Sequence, residues 1–170
     1  MKRYITRMLL LALICPGFAY AQPTEEALAT VQRLLEAVRT GEARTVVNLT
    51  HPKVHELAGG REKMLSVLTE TFRSAKIAGH KLDQVVIGQP SALGRDGEQV
   101  FLFVPYIGVS SNKERSTTIE AFYLGISADA GDTWRFVDGS RMDQQNIKLF
   151  IPSYSGDPPL PRTKHTVERR

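Results

Sequence analysis

Cysteine is almost absent from this chain, because Cys15 is the only one among its 170 residues. Cys15 also lies inside an N-terminal segment that has the features of a secretory signal, so the mature domain is predicted to contain none. Disulfides, thiolate nucleophiles and cysteine-ligated metal sites are therefore excluded from that domain. Ile14 stands before Cys15 where a lipoprotein needs a small residue, which argues against a lipid anchor there.

The chain also lacks an apolar run long enough to span a membrane. Met8–Ile14 is the apolar run of the N-terminus, and it is far shorter than the ~20 residues that a transmembrane helix requires. Basic residues precede this run, and the small-x-small pattern Ala19–Ala21 follows it. We therefore predict that residues 1–21 are a cleaved secretory signal. The mature protein is predicted to be periplasmic or secreted, with no membrane association after cleavage.

An excess of either charge is missing from the body of the chain, although the formal net charge is +4. Between residues 22 and 155 there are 15 basic and 16 acidic residues. No basic stripe stands out in this segment, so nucleic acid is not predicted as a partner.

Helical periodicity characterises the first part of the domain. Apolar residues recur at helical spacing, and glycine or proline interrupts the pattern at Gly41, Pro52, Gly59 and Gly79. The first predicted helix runs from Thr24, a residue type that caps helices, to the stop at Gly41. Three more helices are predicted over residues 42–49, 53–58 and 61–78.

Strand patterns follow the helices, and a hairpin over residues 116–138 is predicted to be the centre of the sheet. Four strands are predicted over residues 81–88, 98–109, 117–127 and 133–138. Pro105 lacks an amide hydrogen, so its strand is expected to lie at an edge or to be bulged there. A short closing helix is predicted over residues 143–150, with Ile147, Leu149 and Phe150 packing inward.

Helices followed by antiparallel strands predict an α+β fold. N-terminal helices are expected to pack on a curved antiparallel sheet of about four strands, over residues 22–151. Both faces of the hairpin are apolar, so the face without helices is expected to meet a second copy or to line a cavity. Residues 152–170 are rich in proline and charge and are predicted to be a disordered tail.

Three stretches, together with this order of elements, resemble the nuclear-transport-factor-2-like (cystatin-like cone) superfamily. The stretches are Thr50–Lys53, Gly59–Met64 and Gly131–Gly139. The resemblance covers about residues 24–152 and implies a cone-shaped α+β roll. Within the superfamily, the chain most resembles small exported bacterial proteins. Members of the fold include ketosteroid isomerase, polyketide cyclases and dehydratases as well as non-catalytic binding and dimerisation modules, so the resemblance selects no function.

The preferred function is a non-catalytic binding or interaction module that has an apolar cavity or a dimer face. Its predicted partners are a second copy of the chain, a small apolar ligand or another protein. The candidate ligand-binding residues are aromatic: Trp134, Phe136, Tyr123 and Phe103. For Trp134 and Phe103 the alternative is a place in the core or in the dimer interface.

The alternative function is a small-molecule isomerase or lyase. Asp138 ends a strand that carries aromatic residues, and a carboxylate in an apolar pocket can act as a general base. A tyrosine, Tyr106 or Tyr123, or else His51 would assist it. The opposing interpretation is that Asp138 only caps the following turn.

No metal or cofactor is predicted. His51 and His55 are four residues apart, but Pro52 places His51 at or before the start of a helix, which prevents a shared helical face. The chain has no phosphate-cradling glycine loop and no serine in a recognisable nucleophile turn.

Overall fold

The computed structural model describes residues 23–169, within which the chain forms four α-helices, six strands and one 3₁₀-helix. The predicted signal, residues 1–21, lies outside the described residues. The helices are α1 (Pro23–Thr40), α2 (Ala43–Leu49), α3 (Pro52–Leu57), α4 (Arg61–Ile77) and the 3₁₀-helix Asn146–Leu149. The strands are β1 (Lys81–Ile87), β2 (Gly94–Asp96), β3 (Gln99–Ser111), β4 (Arg115–Ser127), β5 (Arg135–Asp138) and β6 (Lys164–Arg169). In this described part, no helix is both long and apolar enough to cross a membrane.

The six strands form one antiparallel sheet around the long pair β3–β4. The register of this pair runs from Val100 opposite Ser127 to Ser111 opposite Ser116. β1 and β2 share the free side of β3, and β5 and β6 share the free side of β4. The prediction of an α+β fold with helices on an antiparallel sheet is confirmed. The predicted hairpin β4–β5 exists, but the β3–β4 pair is the centre of the sheet.

Pro105 lies in the middle of the sheet, so the edge-strand alternative for its strand is wrong. The β3–β4 register also runs past Pro105 without a bulge. The reason that proline is tolerated there is local. β1 ends opposite Tyr106 and β2 begins opposite Phe101, which leaves Pro105 beside the gap between them. Its carbonyl accepts a hydrogen bond from the Gly88 N–H (2.8 Å), and the missing amide hydrogen breaks no strand pairing on that side.

The helices cover one face of the sheet, and we call this side the helix face. α1 buries residues at helical spacing, among them Ala27, Val31, Leu34 and Leu35. They pack with α2 and with every second residue of β3, namely Val100, Leu102 and Val104. Trp134 and Phe136 complete this core.

The opposite face of the sheet, the outer face, is covered over half of its length by the chain's own C-terminal segment. Its buried strand residues are Phe101, Phe103, Phe122, Leu124, Ile126 and Val137. Ile147, Ile151 and Tyr154 pack on them. Over this half, the expectation that a second copy or a cavity would meet the apolar face is wrong, because residues 147–154 supply the cover.

The segment predicted to be a disordered tail is ordered in two places. Tyr154 is buried, and its hydroxyl donates a hydrogen bond to the Pro158 carbonyl (2.7 Å). β6 pairs with residues 115–120 of β4. The tail prediction fails there because β6 satisfies the backbone groups of a free strand edge, which needs no apolar side chains.

Candidate functional site

A cavity of about 430 Å³ lies between the helices and the helix face of the sheet. Strand residues with little or no side chain, Gly108 and Ser110, help to leave this space open. Met64, Leu68 and Phe72 of α4 line it at helical spacing. Further lining residues are Leu34, Leu35, Val38, Val46, Thr50, Val54, Leu82, Val85, Ile119, Tyr106, Tyr123, Phe136 and Asp138.

Two stacked tyrosines form the polar part of the cavity. The rings of Tyr106 and Tyr123 lie 5.0 Å apart between centroids, with 23° between their planes. The pKa of each hydroxyl is raised, first because burial penalises the phenolate and then because neighbouring groups, including Asp138, disfavour its charge. No hydrogen bond contributes to either pKa shift. Both hydroxyls therefore stay protonated at neutral pH and can donate to a ligand.

Asp138 lies at the rim of the cavity rather than inside it. It is opposite Tyr123 in the β4–β5 register, so the two side chains leave the same face of the sheet. Asp138 is nevertheless exposed, and its Oδ1 accepts a hydrogen bond from the Ser140 N–H (2.7 Å). The turn-capping interpretation of Asp138 is confirmed by this bond, and the carboxylate is also a neighbour of both tyrosines.

His51 does not line the cavity. His51 is the N-cap of α3, and its ring Nδ1 accepts a hydrogen bond from the Lys53 N–H (3.2 Å). The backbone N–H of His51 donates to the Phe136 carbonyl (2.9 Å). The ring meets the edge of Phe150 at 5.8 Å between centroids. Burial lowers the pKa of His51, with the charge of His55 as a second cause. The structure therefore gives His51 a capping role, and His51 is not among the residues that line the cavity with Asp138 and Tyr106.

The four predicted ligand-binding aromatics fall into two groups. Tyr123 and Phe136 line the cavity. Trp134 is 1% exposed, and its Nε1–H donates to the Gly131 carbonyl (2.9 Å), which makes it a core residue. Phe103 lies in the core of the outer face and contacts Phe122 edge-on at 5.3 Å. Trp134 and Phe103 are therefore core residues, which is the alternative to a ligand-binding role.

Sequence reasoning missed the contribution of α4 to this cavity. The apolar spacing of Met64, Leu68 and Phe72 predicted a buried helical face, yet no residue of α4 is buried. α4 packs on α2 and α3, so these side chains border open space over the sheet. Only the tertiary arrangement separates a cavity-lining face from a core-packing face, because both have the same periodicity.

Among residues 23–169, no three histidine, cysteine or acidic side chains lie close enough together to hold a metal ion. Chemically, the cavity combines apolar walls with two phenol hydroxyls, the hydroxyls of Thr50 and Ser110, and one carboxylate at its rim. Comparison with protein-family models gave no match for the chain, and a search of curated proteins gave none either.

Proposed function

We propose that this exported protein is a cone-shaped α+β roll of the nuclear-transport-factor-2-like superfamily and that it binds a small apolar ligand without chemical conversion. The observation that carries the proposal is the cavity of about 430 Å³ on the helix face. Its size is in the range of roughly 300–1,000 Å³ that is typical of small-molecule sites. Its walls are mostly aliphatic and aromatic, with few polar groups to fix orientation.

The polar groups indicate the kind of ligand. The hydroxyls of Tyr106 and Tyr123 can donate to a carbonyl, ether or hydroxyl oxygen on an otherwise apolar molecule. Asp138 at the rim disfavours a ligand with negative charge near that end. A neutral apolar molecule with one hydrogen-bond acceptor fits these features best.

The proposal is tested by filling the cavity from the strand side. A Cβ added to Gly108 would lie 3.7 Å from the Tyr106 ring and 3.9 Å from Leu82, which are ordinary contacts. Gly108→Leu should therefore fold normally and occupy part of the cavity. Nile red, a neutral apolar dye, is the probe, and its fluorescence is titrated with mature protein. We expect Gly108→Leu to weaken binding of the dye about tenfold or more.

Val109→Leu is the matched control for this experiment. Val109 neighbours Gly108 in β3 but projects to the outer face. It should leave the affinity for the dye unchanged. If Gly108→Leu and Val109→Leu bind the dye as tightly as wild type, the cavity is not the binding site and the proposal is refuted.

The proposal includes a homodimer that uses the uncovered part of the outer face. Val86 and Ile107 are cross-strand partners on this face and are 49% and 44% exposed. Exposed apolar cross-strand pairs of this kind are suited to contact with a second copy. Ile107→Lys should shift the mass measured by light scattering from dimer to monomer. A wild-type protein that is monomeric at high micromolar concentration would contradict the dimer.

The second candidate function is an isomerase or lyase, and it rests on the convergence of Asp138 with Tyr106 and Tyr123 at one cavity. In such a reaction Asp138 would remove a proton from the carbon next to a carbonyl, and a tyrosine would donate a hydrogen bond to the enolate oxygen. The proton would then return to another carbon, so the isomerisation needs no co-reactant.

Proton exchange tests this candidate without knowledge of the substrate. Apolar ketones are incubated with protein in deuterated water, and loss of the proton next to the carbonyl is followed by NMR. Asp138→Asn keeps an oxygen that can accept from the Ser140 N–H, so the turn is retained. An enzyme would lose roughly 10²–10⁴-fold of its exchange rate in this variant. If wild type promotes no exchange above buffer, the catalytic candidate is rejected for these ketones.

A further inference from the structure

A second concavity, of about 490 Å³, lies on the other side of Thr50 from the apolar cavity. Its lining is cationic and polar where that of the first cavity is apolar. The residues are Arg33, Arg61, Arg135, His55 and Asn48, with Leu49, Thr50 and Pro52. We propose that this arginine groove binds an oxyanion, namely a phosphate or sulfate group, either free or as a monoester.

The three arginines reach the groove from separate parts of the fold. Arg33 comes from α1, Arg61 from the first residue of α4 and Arg135 from the first residue of β5. No carboxylate is among the lining residues of the groove. Like charges that gather without a counter-charge repel one another, and a bound anion relieves that repulsion.

The other arginine of each of these two helices has a carboxylate partner. Arg39 of α1 pairs with Glu36 at 2.5 Å, and Arg73 of α4 pairs with Glu70 at 2.8 Å. Within residues 23–169, the three arginines of the groove take part in no such ion pair. The folded body is nearly balanced in charge, so this cluster is a local feature and not the result of a basic chain.

Two of the guanidinium groups are held in place by neutral acceptors. Arg61 donates to the Asn48 side-chain oxygen, and Arg135 donates to the Trp134 carbonyl (3.0 Å). A guanidinium has five N–H donors, so each keeps donors for a ligand after making these bonds. Its planar fork matches two oxygens of a phosphate or sulfate group. The groove therefore presents partly positioned cationic donors and no competing acid.

The inference is independent of the proposed apolar ligand, because Thr50 is the one residue that lines both cavities. The test uses the mature chain labelled with ¹⁵N, titrated with inorganic phosphate or sulfate while chloride keeps the ionic strength constant. Phenyl phosphate is titrated in parallel, so that a free anion and a monoester can be distinguished by their affinities. We expect saturable shifts of amide signals around the groove.

Three variants, Arg33→Gln, Arg61→Gln and Arg135→Gln, should each weaken phosphate binding about tenfold, since charge-assisted hydrogen bonds to an anion are lost. Arg73→Gln removes an exposed arginine of α4 that lies outside the groove, and it should bind phosphate like wild type. Arg33→Gln keeps the test decisive if the other variants misfold, because Arg33 holds neither the Asn48 nor the Trp134 contact. Shifts that never saturate, or an equal loss in Arg73→Gln, would overturn the inference.

Discussion

The cover that the C-terminal segment gives to the outer face leads to a sharp stability prediction. Ile147 and Leu149 lie in the same 3₁₀-helix, but Ile147 is 0% exposed and Leu149 is 53% exposed. Alanine removes three carbons from either side chain. At about 0.8 kcal/mol per buried CH₂, Ile147→Ala loses about 2.4 kcal/mol, and the cavity left behind raises this to about 3 kcal/mol. Because Leu149 is about half exposed, Leu149→Ala loses only about half of this transfer free energy, or about 1 kcal/mol.

Urea denaturation followed by tryptophan fluorescence measures both variants, since Trp134 is buried in the native core. The expected difference in the free energy of unfolding between Ile147→Ala and Leu149→Ala is about 2 kcal/mol. The measurement is repeated at two protein concentrations, because a second copy on the covered face would make the result depend on concentration. Equal losses in the two variants would show that residues 147–154 do not cover the outer face as described.

Three further predictions concern single positions. The pKa of His51 is lowered from its ordinary value of 6.5 by burial. The neutral imidazole therefore makes its full contribution to the free energy of unfolding above pH 6.5, and that contribution is lost as the pH falls below this value. His51→Asn keeps a capping oxygen, and wild type should lose stability relative to it in acid urea titrations. Hydrogen bonds from Thr133 and Ser127 lower the pKa of Asp129 to about 2. The ionised carboxylate therefore contributes to the free energy of unfolding above pH 3.8, and this contribution should disappear as the pH falls toward 2. Asp129→Asn should lack this pH-dependent contribution. A Cβ on Gly139 would lie 2.4 Å from the Phe122 ring, and Gly139→Ala should cost about 1–3 kcal/mol in urea denaturation at neutral pH.

The sequence predicts most helices and strands because their apolar spacing is regular. α1, with two acidic residues in its first turn and its stop before Gly41, illustrates how local signals fix an element. β2 has three residues and β6 is polar, so neither carries a pattern that separates it from a loop. Both strands form because β3 and β4 leave free edges for them, which is a property of the sheet and not of their own residues.

The closing helix is shorter than predicted, and its burial differs from the prediction. The sequence predicts an α-helix over residues 143–150 with Ile147, Leu149 and Phe150 packing inward. The structure has a single 3₁₀ turn at Asn146–Leu149, in which only Ile147 is buried. Residues two apart lie roughly 120° apart around the axis of a 3₁₀-helix, so Leu149 does not share the face that Ile147 presents to the sheet. The inward packing of Leu149 is therefore wrong.

The candidate site was predictable only in part, because its members come from elements whose packing the sequence does not specify. Tyr123 and Asp138 could be placed together, since the strand register brings them to one face. Whether that face holds core or cavity depends on α4, which packs on α2 and α3 and lines the cavity from the side opposite Gly108.

The environment of Asp138 is the observation that supports the binding proposal over the catalytic candidate. A general base in an apolar pocket must be withdrawn from water and free to accept a proton. Asp138 is exposed, and one of its oxygens already accepts the Ser140 N–H. The two tyrosines, by contrast, line the apolar cavity. Hydroxyl groups in an apolar cavity, beside a carboxylate that already accepts a backbone hydrogen bond at the rim, favour recognition of a ligand over its conversion.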